Sequence, residues 1–215
     1  MRQASDAACL GVVLYHGVEP IDLGGTAGVV SMASRILPNL TSVLIAESAG
    51  PVRLAGGVTV IAEADFETAP PCDAYVVCGG PGWRDQVGNA AMLAFLRARP
   101  RRELASVCTG ALILAAAGTL DGLRATTRRR AVGAETASPL AEMSRIASTA
   151  RAEPALVVED GGVVTSGGVS LAIDGTLYLI GRLYGDEARD AVARLIEYDR
   201  AYAANAEALG VVRAG

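Results

Sequence analysis

The chain has 215 residues, a formal net charge of −4 at pH 7 and 51% hydrophobic side chains. A chain of this length and apolar content buries a sizeable core without disulfides or a second domain, so we expect a single domain over residues 1–215. Because 19 basic residues are balanced by 23 acidic ones and no run of five like charges occurs, a nucleic-acid-binding surface is not expected.

Short β-branched stretches alternate along the chain with longer stretches rich in Ala, Leu and Arg. The predicted strands are Leu10–Tyr15, Ser42–Ala46, Ala74–Cys78, Leu104–Val107 and Val163–Thr165. The predicted helices are Leu23–Ile36, Ala90–Arg99, Gly110–Ala117, Ala131–Ala141, Leu171–Tyr184 and Asp186–Tyr198. This alternation predicts an α/β fold with a doubly wound, mostly parallel sheet between helices.

Several segments depart from that alternation. Glycine turns predict local hairpins over 52–64, turning at Gly56-Gly57, and over 155–167, turning at Asp160-Gly161. Residues 1–7 and about 203–215 are expected to fray. The uncharged run 104–120 is close to the length of a membrane span, but its composition favours a buried strand followed by a buried helix. We therefore expect a soluble protein.

Four cysteines stand at positions 9, 72, 78 and 108, and no two of them form a C-x-x-C pair. This density is far below that of a disulfide scaffold, and the short apolar stretch near the N-terminus does not resemble a signal peptide. A reducing, cytoplasmic setting is expected. The sequence contains no cluster of metal ligands, no P-loop and no G-x-G-x-x-G fingerprint, so neither a metal nor a cofactor is expected.

Sites in open α/β sheets form at the carboxyl ends of strands, where this chain has unusual residues at 16–25, 78–83, 106–111 and 165–170. Among these, Cys108 lies between a predicted strand and a predicted helix, as in a nucleophile elbow with sulfur in place of oxygen. The dipole and free N–H groups of a helix N-terminus would lower the pKa of that thiol. A reactive cysteine is favoured over the alternative, a cysteine that only fills the core.

Other residues at this edge carry weaker indications. The glycine-rich loop at 78–83 brings bare backbone N–H groups close to a substrate, although many α/β proteins have such a turn for steric reasons alone. Asp22 falls in the first turn of a predicted helix, where an N-cap role is the ordinary alternative to a chemical one. His16, the only histidine, is expected to be exposed or locally bonded rather than catalytic.

Taken together, four segments resemble the ThiJ/PfpI superfamily of class I glutamine-amidotransferase-like proteins. They are IDLGGTAGVV (21–30), VVCGGPGW (76–83), SVCTGALILAAAGTLDGLRATT (106–127) and the stretch 159–199. The resemblance spans about 9–200 and is strongest to isonitrile hydratases and to the sensing domains of AraC-type regulators. It implies a flavodoxin-like fold, a homodimer and a reactive cysteine. It also implies that Cys108 is the nucleophile, that Asp22 is the essential acid, and that the N–H groups of Gly80 and Thr109 contact an oxyanion.

The sequence departs from the family pattern at three places. The proline of the family's DLTGP or DLAGP is missing after Asp22, and Cys78 replaces the proline that often precedes the glycine loop. We expect Cys78 to be a buried apolar filler rather than a resolving thiol. Arg128 stands where ATTHW-containing members have histidine. Since arginine cannot act as a base, Cys-His hydrolysis and glyoxalase chemistry are disfavoured. Arg128 is either a ligand for a substrate carboxylate or a solvated surface residue.

The resemblance favours a hydratase acting on a small isonitrile. Cys108 would attack the terminal carbon of R–N≡C, and Asp22 would deliver a proton and later activate water, giving an N-formamide. One proton shared by the two groups is the expected resting state, since adjacent anions disfavour each other. The expected partners are a small-molecule substrate and a second copy of the chain, with no nucleic acid and no membrane.

Two alternatives stay open. The same pocket could sense a metabolite or oxidant without turnover, as in AraC-type regulators. Those regulators normally continue into a basic helix-turn-helix domain, whereas this chain stops at Gly215, which favours a stand-alone enzyme. Alternatively, Cys108 could cycle through sulfenic acid in a redox-active protein.

Overall fold

The structure, a computed structural model, describes residues 2–214. Its strands are β1 (Ala8–Val13), β2 (Leu40–Ile45), β3 (Gly50–Arg53), β4 (Thr59–Ala62), β5 (Ala74–Val77), β6 (Leu104–Ser106), β7 (Arg124–Ala125), β8 (Arg151–Ala152), β9 (Val157–Asp160), β10 (Val163–Ser166) and β11 (Val211–Arg213). Its helices are α1 (Pro20–Leu23), α2 (Val29–Ala33), α3 (Trp83–Gln86), α4 (Ala90–Arg97), α5 (Gly110–Ala116), α6 (Pro139–Ile146), α7 (Ala172–Tyr184), α8 (Asp186–Leu195) and α9 (Asp199–Leu209). A π-helical turn, Gly24–Gly28, joins α1 to α2.

Within residues 2–214, seven strands form one sheet in the order β11-β9-β10-β6-β5-β1-β2. Neighbouring strands run parallel except β9 and β10, which form an antiparallel hairpin. Strand β5 is buried along its whole length, as expected for a strand that helices cover on both faces. The α/β prediction with a mostly parallel sheet is confirmed, and so is the flavodoxin-like arrangement.

The central strands β1, β5 and β6 set up the candidate site. They are adjacent and parallel, so their carboxyl ends lie at one edge of the sheet. The chain leaves β1 toward α1, leaves β5 into the glycine-rich loop, and leaves β6 into the turn before α5. Three segments that are distant in sequence therefore meet at this edge.

The hairpin predictions are confirmed. Strands β3 and β4 pair antiparallel around Gly56, and β9 and β10 pair with Asp160 opposite Val163. The uncharged run 104–120 contains β6 and α5, as predicted. No helix among residues 2–214 combines the length and the apolar character needed to cross a bilayer.

Most predicted boundaries differ from the structure by a few residues, and two predictions are wrong by more. The helix expected over 131–141 begins only at Pro139, because Gly133 has a φ of +58° and Ser138 caps the helix through its hydroxyl. The C-terminal residues do not fray as a whole. They form α9, and then β11, which pairs with β9 at the sheet edge.

Candidate active site

Cys108 occupies a tight turn between β6 and α5. Its φ is +52°, in the left-handed region that non-glycine residues seldom adopt, and its N–H donates to the carbonyl of Gly167 at 3.1 Å. A methyl group on Gly110 would lie 2.0 Å from the Val77 carbonyl oxygen, so α5 starts directly against β5. The strained turn holds the Cys108 side chain at the sheet edge, where it is only 2% exposed.

Asp22 lies inside α1 and is completely buried. The N-cap position belongs to Glu19, and the Asp22 side chain reaches instead to the glycine-rich loop, where Oδ2 accepts from the Gly79 N–H at 2.8 Å. Its Oδ1 has no hydrogen-bond partner among the described residues. The helix-capping role weighed from the sequence is therefore wrong. A buried carboxyl oxygen is left free to exchange a proton.

Asp22 and Cys108 are close enough for each to change the pKa of the other. Burial raises the pKa of Asp22 to about 7, against smaller lowering effects of the Gly79 N–H and the Cys108 thiol. Burial and then the negative charge of Asp22 raise the pKa of Cys108 well above its ordinary value, and the Thr109 N–H opposes them. The increase in the thiol pKa caused by burial thus outweighs the decrease caused by the N-terminus of α5. The lowered pKa of Cys108 expected from the sequence is therefore wrong. At neutral pH the pair holds one proton or two, not zero.

The glycine-rich loop is bonded into this site. A methyl group on Gly79 would lie 2.5 Å from the Thr109 nitrogen and 2.8 Å from Asp22 Oδ2, so only glycine fits here. The Gly80 N–H donates to Thr109 Oγ1 at 2.9 Å. One of the two N–H groups that the resemblance assigns to an oxyanion therefore has an internal partner. Sequence reasoning missed Gly79, although it belongs to the motif that drew attention to the loop.

The segment after β10 forms a further wall of the site, against the Cys108 sulfur. A methyl group on Gly168 would lie 2.4 Å from Cys108 Sγ, so backbone packs directly against the sulfur. The Thr127 hydroxyl donates to the carbonyl of Cys108 at 2.6 Å and fixes the turn from behind. The sequence marks the segment 165–170 as unusual but assigns no role to Gly168 or Thr127.

Arg128 is buried beside the site rather than solvated. It is 8% exposed, donates to Glu135 Oε1 at 2.7 Å and also donates to the carbonyl of Arg130. Its positive charge lowers the pKa of both Asp22 and Cys108. The expectation that Arg128 is a solvated surface residue is therefore wrong. Arg128 also lines a cavity of about 330 Å³ that reaches Gly168 and the wall of the Cys108 site.

His16 and Cys78 take no direct part in this pair. His16 is exposed, and its Nδ1 accepts from the backbone N–H of Arg53 at 3.1 Å. Cys78 is fully buried, and burial raises the pKa of its thiol well above the ordinary value. Both observations agree with the roles expected from the sequence, a locally bonded histidine and a buried filler.

Residues 10–180 match the model of the DJ-1/PfpI family. The chain belongs to this family. Isonitrile hydratase from Pseudomonas putida is 32% identical over 193 residues, which cover 88% of this chain and 78% of the hydratase. The transcriptional regulator GbdR from Pseudomonas aeruginosa is 34% identical over 147 residues, which cover 67% of this chain and 37% of the regulator.

Several solved structures have the same fold. A ThiJ/PfpI protein from Pseudomonas syringae superimposes with a TM-score of 0.76 at 26% identity, covering 91% of this chain and 76% of that one. Drosophila melanogaster DJ-1beta superimposes with a TM-score of 0.72 at 19% identity, covering 89% of this chain and 98% of that one. An AraC-family regulator from P. putida superimposes with a TM-score of 0.68 at 18% identity, covering 88% of this chain and 99% of that one. The relatives thus include both an enzyme and regulators.

Proposed function

We propose that this DJ-1/PfpI protein is a cysteine-dependent hydratase that adds water to a small isonitrile and releases an N-formamide. The observation that carries the proposal is the buried pair of Asp22 and Cys108. Asp22 is fixed through Oδ2 while Oδ1 is free, and its pKa of about 7 lets it both take and give a proton near neutral pH. The similarity to isonitrile hydratase supplies the substrate class.

The proposed reaction begins when the Asp22 carboxylate accepts the proton of the Cys108 thiol. Sulfur then bonds to the terminal carbon of R–N≡C, and Asp22 returns the proton to that carbon, which gives the thioimidate R–N=CH–S. Water loses a proton to Asp22 as it bonds to the same carbon. Asp22 gives that proton to the nitrogen. The C–S bond then breaks, the hydroxyl proton of the intermediate passes through Asp22 to the Cys108 sulfur, and R–NH–CHO leaves. One water is consumed, and the pair regains its starting proton.

The backbone around Cys108 suits this reaction. The Thr109 N–H faces the sulfur and lowers the pKa of the thiol, so it favours charge near the reacting atoms. The Gly80 N–H can join it by exchanging its bond to Thr109 Oγ1 for the oxygen of the tetrahedral intermediate. Among the described residues, no histidine contacts this pair, and none is needed because Asp22 moves every proton.

A second candidate function is sensing of a small molecule without turnover. It is favoured by the alignment with GbdR over 67% of this chain. The redox alternative is weaker. Cys108 is nearly inaccessible and its pKa is raised, whereas oxidation to sulfenic acid requires an accessible thiolate.

Incubation with a series of small isonitriles tests the proposal. Formation of the N-formamide by the wild-type protein, and none by Cys108→Ala, is the expected result. Cys108→Ala keeps a small side chain at the turn, and binding of the same isonitrile checks that the pocket is intact. Saturable binding to the wild-type protein without product would instead support the sensor.

We also propose that the protein forms a homodimer through the outer face of the first helical segment, which consists of α1, the π-turn and α2. An apolar cavity of about 370 Å³ opens on this face and is lined by residues of α1, the π-turn, α2, α7 and the segment after α8, among them Ile21, Met32, Ile173 and Ile196. Ile21 is 53% exposed although it precedes the buried Asp22. An exposed apolar face of this kind is typical of a surface that a partner covers.

A further inference from the structure

The strongest chemical feature outside the site is a pair of thiols at the other end of the same strands. Cys9 lies in β1 and Cys72 precedes β5, and their sulfur atoms are 3.6 Å apart. Two hydrogen bonds join Asp73 to the backbone of Cys9. The Asp73 N–H donates to the Cys9 carbonyl, and the Cys9 N–H donates to Asp73 Oδ2. These bonds hold the two cysteines next to each other although 63 residues separate them in sequence.

We propose that Cys9 and Cys72 form a reversible dithiol–disulfide pair that is oxidised by low-molecular-weight disulfides independently of Cys108. A disulfide has a sulfur–sulfur bond of about 2.0 Å, so closure from 3.6 Å requires a shift of about 1.6 Å, within reach of small side-chain rotations. The site would be a modification site in the proposed hydratase, but the inference does not depend on that activity.

The contacts around the pair assign different roles to the two sulfurs. Cys9 is half-buried and is the more exposed of the two thiols, which contact each other with either sulfur as possible donor. Cys72 is buried, and its Sγ also contacts the Pro70 carbonyl at 3.4 Å. Cys9 is therefore the attacking sulfur and Cys72 the resolving one.

The reaction balances with a glutathione disulfide as oxidant. Cys9 sulfur bonds to one sulfur of the oxidant, the S–S bond of the oxidant breaks, and one glutathione leaves. Cys72 then gives up its proton and attacks Cys9 Sγ, which expels the second glutathione. The two protein thiols lose two electrons and two protons, and the oxidant becomes two thiols. Cys108 is not expected to react, because it is 2% exposed and its pKa is raised.

Treatment of the reduced wild-type protein with oxidised glutathione tests this assignment. After the remaining thiols are alkylated in denaturant, two of the four cysteines should be lost to alkylation and recovered by dithiothreitol. Non-reducing peptide mapping should identify one cross-link, Cys9 to Cys72. Cleavage after Tyr75 separates Cys72 from Cys78, so the partner is assigned without a variant.

Matched variants separate attack from resolution. Cys72→Ser should retain a mixed glutathione disulfide on Cys9 that wild-type protein resolves, and Cys9→Ser should form neither product. The proposal is overturned if all four thiols of the wild-type protein are alkylated, if the mixed disulfide persists in it, or if the cross-link contains Cys78, Cys108 or a second chain. Isonitrile turnover is not needed for any of these readouts, so failure of the hydratase proposal leaves this test intact.

Discussion

At the residue scale, the proton of Asp22 governs both the reaction and its pH dependence. Burial raises the pKa of Asp22 from 3.8 to about 7, and the reaction begins with the carboxylate form. We expect kcat/KM for an isonitrile to rise with pH through about 7 and then level off. The Asp22→Asn variant should not show this rise of kcat/KM with pH, the acidic limb of the profile, and its rate should be about 10²- to 10⁴-fold lower. A flat profile for the wild-type protein between pH 5 and 9 would contradict the assignment.

The same shift has a consequence for stability. A folded-state carboxyl pKa above the ordinary value means that protonated Asp22 stabilises the fold at low pH, and this contribution is lost as pH rises through about 7. The asparagine side chain of the Asp22→Asn variant cannot ionise, so the variant does not lose this contribution. The free energy of unfolding of the variant, relative to that of the wild-type protein, should therefore be higher at pH 8 than at pH 5. Urea unfolding at the two pH values measures it. Asp174, whose pKa burial raises to about 6, is present in both proteins and cancels in the comparison.

Arg128 shifts the proton equilibrium of the pair through its charge. Because it lowers the pKa of Asp22 and of Cys108, Arg128→Met should move the limb of kcat/KM to higher pH. It should also destabilise the protein by about 1–3 kcal/mol, since Glu135 loses its buried partner. Arg128→Met with Glu135→Gln should recover stability but keep the shifted limb. A limb that stays near pH 7 in both variants would show that Arg128 acts only through packing.

At the element scale, the elbow depends on close packing of α5 against β5. Gly110→Ala would place a methyl group 2.0 Å from the Val77 carbonyl oxygen, so we expect a loss of about 3 kcal/mol or more in the free energy of unfolding. Gly88→Ala is the control, because a methyl group there meets only the Asp85 carbonyl oxygen at 3.8 Å. Chemical denaturation of both variants checks this, and equal stabilities would contradict the proposed packing.

The elements that the sequence predicts well are those with a local cause. Strand β5 and helix α5 follow from continuous apolar runs, and the hairpins follow from paired glycines. The prediction for helix α6 is wrong because it follows the Ala-rich composition and overlooks two local signals, Ser138 as a cap and Pro139 in the first turn. Composition does not reveal strand β11, because this three-residue strand is stabilised by pairing with β9.

The candidate site was predictable only in part for a related reason. The turn at Cys108 and the acid at Asp22 stand out by motif and resemblance. The raised pKa of the thiol does not, since it results from burial and from a carboxylate 86 positions away in the sequence. The ion pair of Arg128 with Glu135 and the contact of Gly168 with Cys108 likewise depend on tertiary packing.

At the scale of the whole molecule, the outer face of the first helical segment should join two copies. Sedimentation at micromolar concentration should give a species of twice 21.9 kDa. Ile21→Glu places a charge on this face and should shift the protein to the monomer mass. Ile61→Glu is the matched control, because Ile61 is 58% exposed, against 53% for Ile21, and lies on β4. A wild-type species of 21.9 kDa alone would contradict the dimer.

The central claim is that Cys108 and Asp22 act as one catalytic unit. The most direct measurement compares isonitrile turnover by the wild-type protein, Cys108→Ala, Asp22→Asn and the double variant. Asn keeps the acceptor for the Gly79 N–H, so the fold around the site should be retained. We predict that Cys108→Ala abolishes turnover, and that Asp22→Asn loses nearly as much as the double variant, since the residues of one unit are not additive. Near wild-type kcat for Asp22→Asn, on an isonitrile that Cys108→Ala cannot turn over, would contradict the account.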